Sequence, residues 1–462
     1  MSTVCGALGP LLNSLKVPPA YARYDRIAED PSLARLDEWK RSADRVLTEI
    51  QSILDQRTSE FSTEDQANVI SAAAPFYGND VWITPASRSA AGDILDRFSD
   101  PSTGILVQLL TQNIKPLFKL NPHPSLNATG RKLPRPAGGP MASQDFYDEQ
   151  AWKSSPGVAN VVSWCVRHLS SEAYEGLWHL IIPPVMTLLD DYEAPHKLQG
   201  VHIVSEMLQR VPSQLLKRTG VDGLIRTSLN TCLSHLHNPE TPQLINAAVG
   251  ASLRLTLLTT TVGSVDQFDQ LCALLGEGII SGIWMYASDK PDVLLASLQA
   301  MPPLLRALKI GNARFLKVRA HPAPTRLKRM AKHRVKQQAL ITQLVHSLPP
   351  NPTNPPPAEM QLISLQLLVI LAEECAACMP RWKTIIVDGV ARCWVALVDA
   401  GGSRDVFAPY TADFDVLGPE LRHTCESLGR CCPSVTEEEY RMLLESHPEL
   451  FAELLQNKAV VL

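Results

Sequence analysis

One period dominates this chain: apolar side chains recur every three to four residues almost throughout, and the alternation of a half-buried strand is almost nowhere to be found. Leu33 to Arg57 shows the pattern. Leu33, Leu36, Ala43, Val46, Leu47, Ile50, Ile53 and Leu54 share one face, with Asp37, Glu38, Lys40, Arg41 and Glu49 elsewhere, as in an amphipathic helix with one buried stripe. Similar stretches, from Ile105–Phe118 to Glu449–Leu455, predict about fifteen helices and no confident strand. Prolines punctuate them at Pro183-Pro184, Pro195, Pro212, Pro242, Pro291 and Pro302-Pro303. Proline suits a first helical turn and ends the helix before it, so Ala173–Ile182 and Val185–Asp190 read as separate helices. Many short helices with few long loops predict an all-α fold, an α-solenoid of stacked hairpins in which each buries its apolar face on its neighbours.

Composition bounds the remaining possibilities. Of 462 residues 45% are hydrophobic and 19% charged, enough apolar surface for a large core and too little charge for a wholly disordered chain. Met1–Leu15 lacks the features of a secretory signal, and the most apolar run, Leu362–Ala372, is far shorter than the roughly 20 residues of a membrane span. Ten cysteines scattered through apolar stretches look like free buried thiols. The expectation is a soluble intracellular protein. Two stretches break the helical pattern: Asn121–Ala142, with five prolines and three glycines, reads as an exposed loop, and Pro349–Pro357, with six prolines in nine positions, as polyproline II. The expected organisation is an N-terminal helical region (1–120), a flexible loop (121–150), central HEAT-like repeats (151–348), a Pro-rich linker (349–357) and C-terminal helical repeats (358–462).

Leu180–Pro212 is the most informative stretch. A helix ending in Leu188-Leu189-Asp190-Asp191 is followed by a short turn and a second helix carrying Lys197, Gly200, Val201, Val204 and Leu208. That is a HEAT-type hairpin: the turn carboxylates can cap the second helix and pair with Lys197 or Arg218, and Gly200 allows the two helices to approach closely. Pro183, Pro184, Leu188, Leu189, Asp190, Asp191, Tyr192, Glu193, Lys197, Gly200, Arg218, Thr219 and Gly220 together resemble the pattern of the Tel-two-interacting protein two family. The resemblance spans roughly Trp152–Asp399. It implies a non-catalytic α-solenoid, the smallest subunit of the TTT co-chaperone complex, without cofactor, in cytoplasm and nucleus. The partners it implies are the two other TTT subunits directly. Indirect ones are the phosphatidylinositol kinase-related kinases, which the complex helps mature, and the ninety-kilodalton heat-shock chaperone. DNA-damage response, telomere maintenance and TOR signalling would follow from those kinases. The candidate partner-binding residues are Asp190, Asp191, Tyr192, Glu193, Lys197 and Arg218. Trp382 and Trp394 read as core or interface anchors.

Val318–Gln338 departs from that pattern with seven basic residues and no acidic one. Without them the chain would hold 36 basic against 47 acidic residues, a net charge of −11 rather than −4. Three readings stand: a basic element binding nucleic acid, an acidic partner or an import receptor across residues 314–336; a solvated face; or a translated intron, since joining Lys317 to Ala339 restores an ordinary helix.

Catalytic signatures are weak. Cys375-Ala376-Ala377-Cys378 has metal spacing but no second pair, and the bland reading is buried structural cysteine. Gly276–Gly282 matches no phosphate loop and reads as a turn between helices. Adjacent carboxylates such as Asp190 and Asp191 diverge by about 100° on a helix and cannot easily share one acid/base site.

Overall fold

Wherever the sequence carries helical periodicity the chain is helical. A computed structural model describes residues 5–26, 32–56, 61–119, 122–137, 146, 150–316, 340–349, 356–402 and 411–455. Among these residues β pairing is confined to one isolated antiparallel bridge, Leu126 to Lys132. The fold is all-α and solenoid-like, built from helices packed on near neighbours in sequence. The basic segment Val318–Gln338 and most of Pro349–Pro357 lie outside the described residues.

The chain divides into two compact units, Met1–Leu229 and Asn230–Leu462, the division falling within the helix Val221–Cys232. In the first unit Ser32–Asp55 packs on Pro85–Asp96, and Val158–His168, Ala173–Leu189 and Ala194–Met207 pack on one another. Local sequence sets the helix starts. Ser62 accepts the Asp65 N–H at 3.1 Å, and Thr84 forms a capping box with Ser87 ahead of Pro85. Trp164 and Phe76 are among the largest fully buried side chains of this unit. In the second unit Thr241–Thr259 packs on Pro291–Gln299, and Thr411–Cys431 packs on both Ala358–Glu374 and Lys383–Gly402. Its fully buried tryptophans satisfy their indole donors: Trp284 Nε1 donates to Ser297 Oγ at 2.9 Å and Trp394 Nε1 to the Leu450 carbonyl at 2.8 Å. Trp394 is therefore core, while Trp382 is half-buried.

Two expectations need correction. Pro183 and Pro184 do not end a helix, because Ala173–Leu189 runs through both. Their rings deprive the His179 and Leu180 carbonyls of N–H partners, a defect of about 3 kcal/mol or more per interior proline. Nearly every neighbouring side chain is apolar and buried, so tertiary packing overrides the local preference. Gly276–Gly282 is likewise no turn but part of a π-helix, Leu274–Ile283, that continues Val265–Ala273. Its glycines serve close approach: a Cβ at Gly276 would lie 2.8 Å from Phe315 Cε1, and one at Gly278 would lie 2.8 Å from Leu233 Cδ1. Pro122–Ala137 is a loop exposed over most of its length, with His123, Leu126 and Gly130 buried.

The described thiols are free, most of them buried. Burial pushes the Cys165, Cys393 and Cys425 thiols up to about 12 and the Cys375 thiol up to about 11. Thiolate is the reactive species, so these four should resist an aromatic disulfide reagent at neutral pH and react together with unfolding. Stopped-flow labelling with and without denaturant checks this. Immediate stoichiometric reaction of Cys165 in the native chain would contradict its burial.

Candidate functional site

The hairpin singled out by sequence is a turn held from three sides. Ala173–Leu189 ends at Asp190, whose N–H donates to the Met186 carbonyl at 2.9 Å, and Pro195 sits in the first turn of Ala194–Met207. The helices meet at Gly200, where a Cβ would lie 2.4 Å from Leu189 N and 2.6 Å from the Leu188 carbonyl carbon. One turn earlier, Lys197, 3% exposed, donates from Nζ to the Leu189 carbonyl at 2.9 Å. It thereby satisfies one of the carbonyls that a helix C-terminus leaves open, with the sign of charge the helix dipole favours.

The turn carboxylates separate by partner. Asp191, 1% exposed, accepts the Glu193 N–H at 2.9 Å through Oδ1 and pairs through Oδ2 with Lys153 Nζ at 2.8 Å. Asp190 Oδ2 meets His123 Nε2 at 2.9 Å. The expected ion pair to Lys197 or Arg218 is not formed by either aspartate. Lys197 caps the preceding helix, and Arg218 pairs with Glu175 at 2.6 Å on the surface. Nor does a turn carboxylate cap the second helix: its N-cap is Glu193, without a side-chain hydrogen bond, and Asp191 instead closes the turn ahead of it.

Lys153 is the hub that sequence reasoning missed. Besides Asp191 it lies 3.5 Å from Glu193 Oε1, 4.3 Å from the centroid of the Tyr192 ring and 5.5 Å from that of Trp152. Trp152 in turn stacks on Phe118 at 5.8 Å and receives the edge of His196 at 4.9 Å. Tyr192 is 57% exposed, its ring covering an ammonium group and its hydroxyl bonded to Glu193. That bond holds the Tyr192 hydroxyl above the ordinary tyrosine range. Burial opposes ionisation of Glu193, but the Tyr192 hydroxyl and Lys153 outweigh it and keep its carboxyl below the usual range.

Pro122–Ala137 clamps this hairpin to the next helix. Trp178 Nε1 donates to the Gly130 carbonyl at 2.8 Å, and Lys132 N donates to the Thr219 carbonyl at 2.9 Å. Gly130 and Gly220 have φ of +73° and +71°, a left-handed conformation that glycine adopts without strain. The Leu216–Gly220 motif is thus a helix end and a docking point for the clamp.

Three histidines, two of them half-buried, give the first unit a pH dependence. Burial holds the His168, His196 and His202 imidazoles below the ordinary histidine range. Such a group binds protons more readily when unfolded, so its contribution is present above pH ~6.5 and lost as pH falls through that value. Burial raises Asp80 and Glu206, a trend of opposite sign that sets in from the carboxylate range near pH 4 upward. Calorimetry should show the melting midpoint falling between pH ~7.5 and ~6, and glutamine at the three histidines should flatten the fall.

The arrangement can present a surface. Asp190 and Asp191 do not share a cleft, and among the described residues no group of His, Cys, Asp and Glu is placed to hold a metal ion. What faces solvent is Tyr192 with Glu193, and Arg218 with Glu175.

Comparison with known proteins agrees with this hairpin. The Tti2 family model matches residues 69–319, just over half of the chain and all of the turn with its supports from His123 to Gly220. TELO2-interacting protein 2 of Homo sapiens is 28% identical over 101 residues, which is 22% of this chain and 19% of that protein. Its counterparts in Mus musculus and Rattus norvegicus are 28% identical over 94 residues, 20% of this chain and 18% of theirs. The similarity thus reaches less than a fifth of the human relative's length, whereas the family model covers the first unit from residue 69 onward and continues into the second. On the strength of that longer match, the chain belongs to the Tti2 family.

Proposed function

We propose that this chain is a non-catalytic adaptor: a helical-repeat subunit of the TTT complex that works by burying surface against the two other subunits. The observation that carries the reading is the family match across residues 69–319, centred on a rigid hairpin whose polar groups are spent on structure. The relatives are named for interacting with TELO2. On this reading the complex supports maturation of phosphatidylinositol kinase-related kinases alongside the ninety-kilodalton heat-shock chaperone. It thereby serves the DNA-damage response, telomere maintenance and TOR signalling, in cytoplasm and nucleus. Of the six residues proposed for partner contact, Asp191 and Lys197 are buried and act by holding the turn. Tyr192, Glu193 and Arg218 are the groups a partner can touch, with Asp190 supporting them through His123.

The test is recovery of the tagged full-length chain at native expression level, with salt and nuclease varied. Two large helical-repeat proteins in near-equal amounts, insensitive to nuclease, are expected. Tyr192→Ala should reduce their recovery while leaving the melting midpoint unchanged. Recovery of nucleic acid or acidic partners alone, lost steeply with salt, would overturn the reading in favour of the basic segment at 314–336.

A further inference from the structure

The outward face of the turn continues past Tyr192 onto the loop that carries Asp80. His196 joins the two: its Nε2 lies 3.4 Å from Glu193 Oε2, and its ring is bonded to Gln199, whose Nε2 donates to Asp80 Oδ1 at 3.4 Å. Glu193 and Asp80 thus flank one imidazole on the first turns of Ala194–Met207. Burial holds that imidazole below the ordinary histidine range, so it carries no charge at neutral pH. Among the described residues the cation that acts on both Tyr192 and Glu193 is Lys153, and Asp191 already holds it at 2.8 Å. The face is left with an excess of carboxylate. Lys153 covers one side of the Tyr192 ring from within, whereas Tyr192 and Glu193 face solvent side by side, the tyrosine hydroxyl bonded to the carboxylate.

An exposed ring fixed beside a carboxylate is the pair of groups that a guanidinium matches. It stacks on the ring and offers two N–H donors to the carboxylate, which a compact ammonium cannot do. Burial raises Asp80, so a cation brought to this face also relieves a desolvation cost that is already present. Val81, exposed next to Asp80, adds an apolar edge against which the stem of such a side chain can lie. From this juxtaposition we propose that the Tyr192 face takes an arginine of a partner subunit, its guanidinium stacked on the outer side of the ring and paired with Glu193. The inference rests on the adaptor reading and adds to it what the partner presents.

The experiment immobilises the full-length chain and titrates the co-purified pair of the two other subunits by biolayer interferometry, with an unchanged melting midpoint certifying the fold of each variant. Glu193→Gln should weaken assembly about tenfold and Glu193→Arg about a hundredfold. Tyr192→Leu keeps an apolar side chain and removes the ring, so it should also cost about tenfold. In the chain carrying Tyr192→benzoylphenylalanine, light should capture a peptide of one subunit that holds an arginine. Changing that arginine to glutamate should weaken assembly, and Glu193→Arg should then restore it. Assembly that ignores both Glu193 variants, or a captured peptide without arginine, overturns the inference and leaves the adaptor reading standing. Failure of the unmodified chain to assemble with the two subunits overturns both.

Discussion

Gly200→Ala is expected to destabilise the first unit by about 3 kcal/mol, at the upper end of what overpacking costs. The reason is geometric. The added methyl would sit 2.4 Å from Leu189 N and 2.6 Å from the Leu188 carbonyl carbon, and both are backbone atoms at a helix end that cannot swing aside as a side chain does. The two helices would have to separate, and that would also draw Lys197 Nζ from the Leu189 carbonyl it caps. Chemical denaturation followed by circular dichroism should show unfolding moving to lower denaturant. Gly250→Ala is the matched control. Gly250 lies in the helix Thr241–Thr259 with nothing within 4 Å of its missing Cβ, so alanine there should stabilise by up to about 1 kcal/mol through helix propensity alone. Equal effects at the two positions would contradict the close approach.

Lys153→Met should be the more damaging half of an asymmetric pair. Asp191 is 1% exposed whereas the Lys153 side chain is 20% exposed, so removing the lysine leaves a carboxylate buried with only the Glu193 N–H for support. Breaking a buried pair this way costs about 3–5 kcal/mol. Asp191→Asn should cost only about 1–2 kcal/mol, because an amide oxygen still accepts the Glu193 N–H and Lys153 keeps Glu193 and solvent. A double-mutant cycle on denaturation midpoints should show coupling of about 2 kcal/mol. Equal losses for the two single variants would place Asp191 in solvent.

Sequence periodicity was enough for the fold class because each amphipathic stripe is a local property, written within one helix. Gly200 was legible for the same reason, since it lies one short turn away from the backbone it touches. The proline rule worked at Pro195, Pro242 and Pro291, which all sit in first turns, and failed at Pro183-Pro184. There the surrounding core outweighs two missing hydrogen bonds, and that core is assembled from residues distant in sequence. The site's polar wiring was illegible for a related reason. Asp190 and Asp191 draw their partners from His123 and Lys153, in segments whose composition says nothing about the hairpin. The proline and glycine content of Asn121–Ala142 could not anticipate that its backbone carbonyls and amides are what dock.

That docked segment alters how the first unit can assemble. A stack of hairpins is close to one-dimensional, and its contacts form between neighbours in any order. The clamp instead joins residues 67 apart at His123 and Asp190 and 48 apart at Gly130 and Trp178. Closing such loops requires entropy to be lost before the contact forms, so the clamp should close after the hairpins it spans. Interactions made after the transition state slow unfolding with little effect on the folding rate. The segment between two helical regions thus acts as a kinetic latch, making the helices from Val158–His168 to Ser213–Thr219 open as one body where isolated repeats would fray in turn.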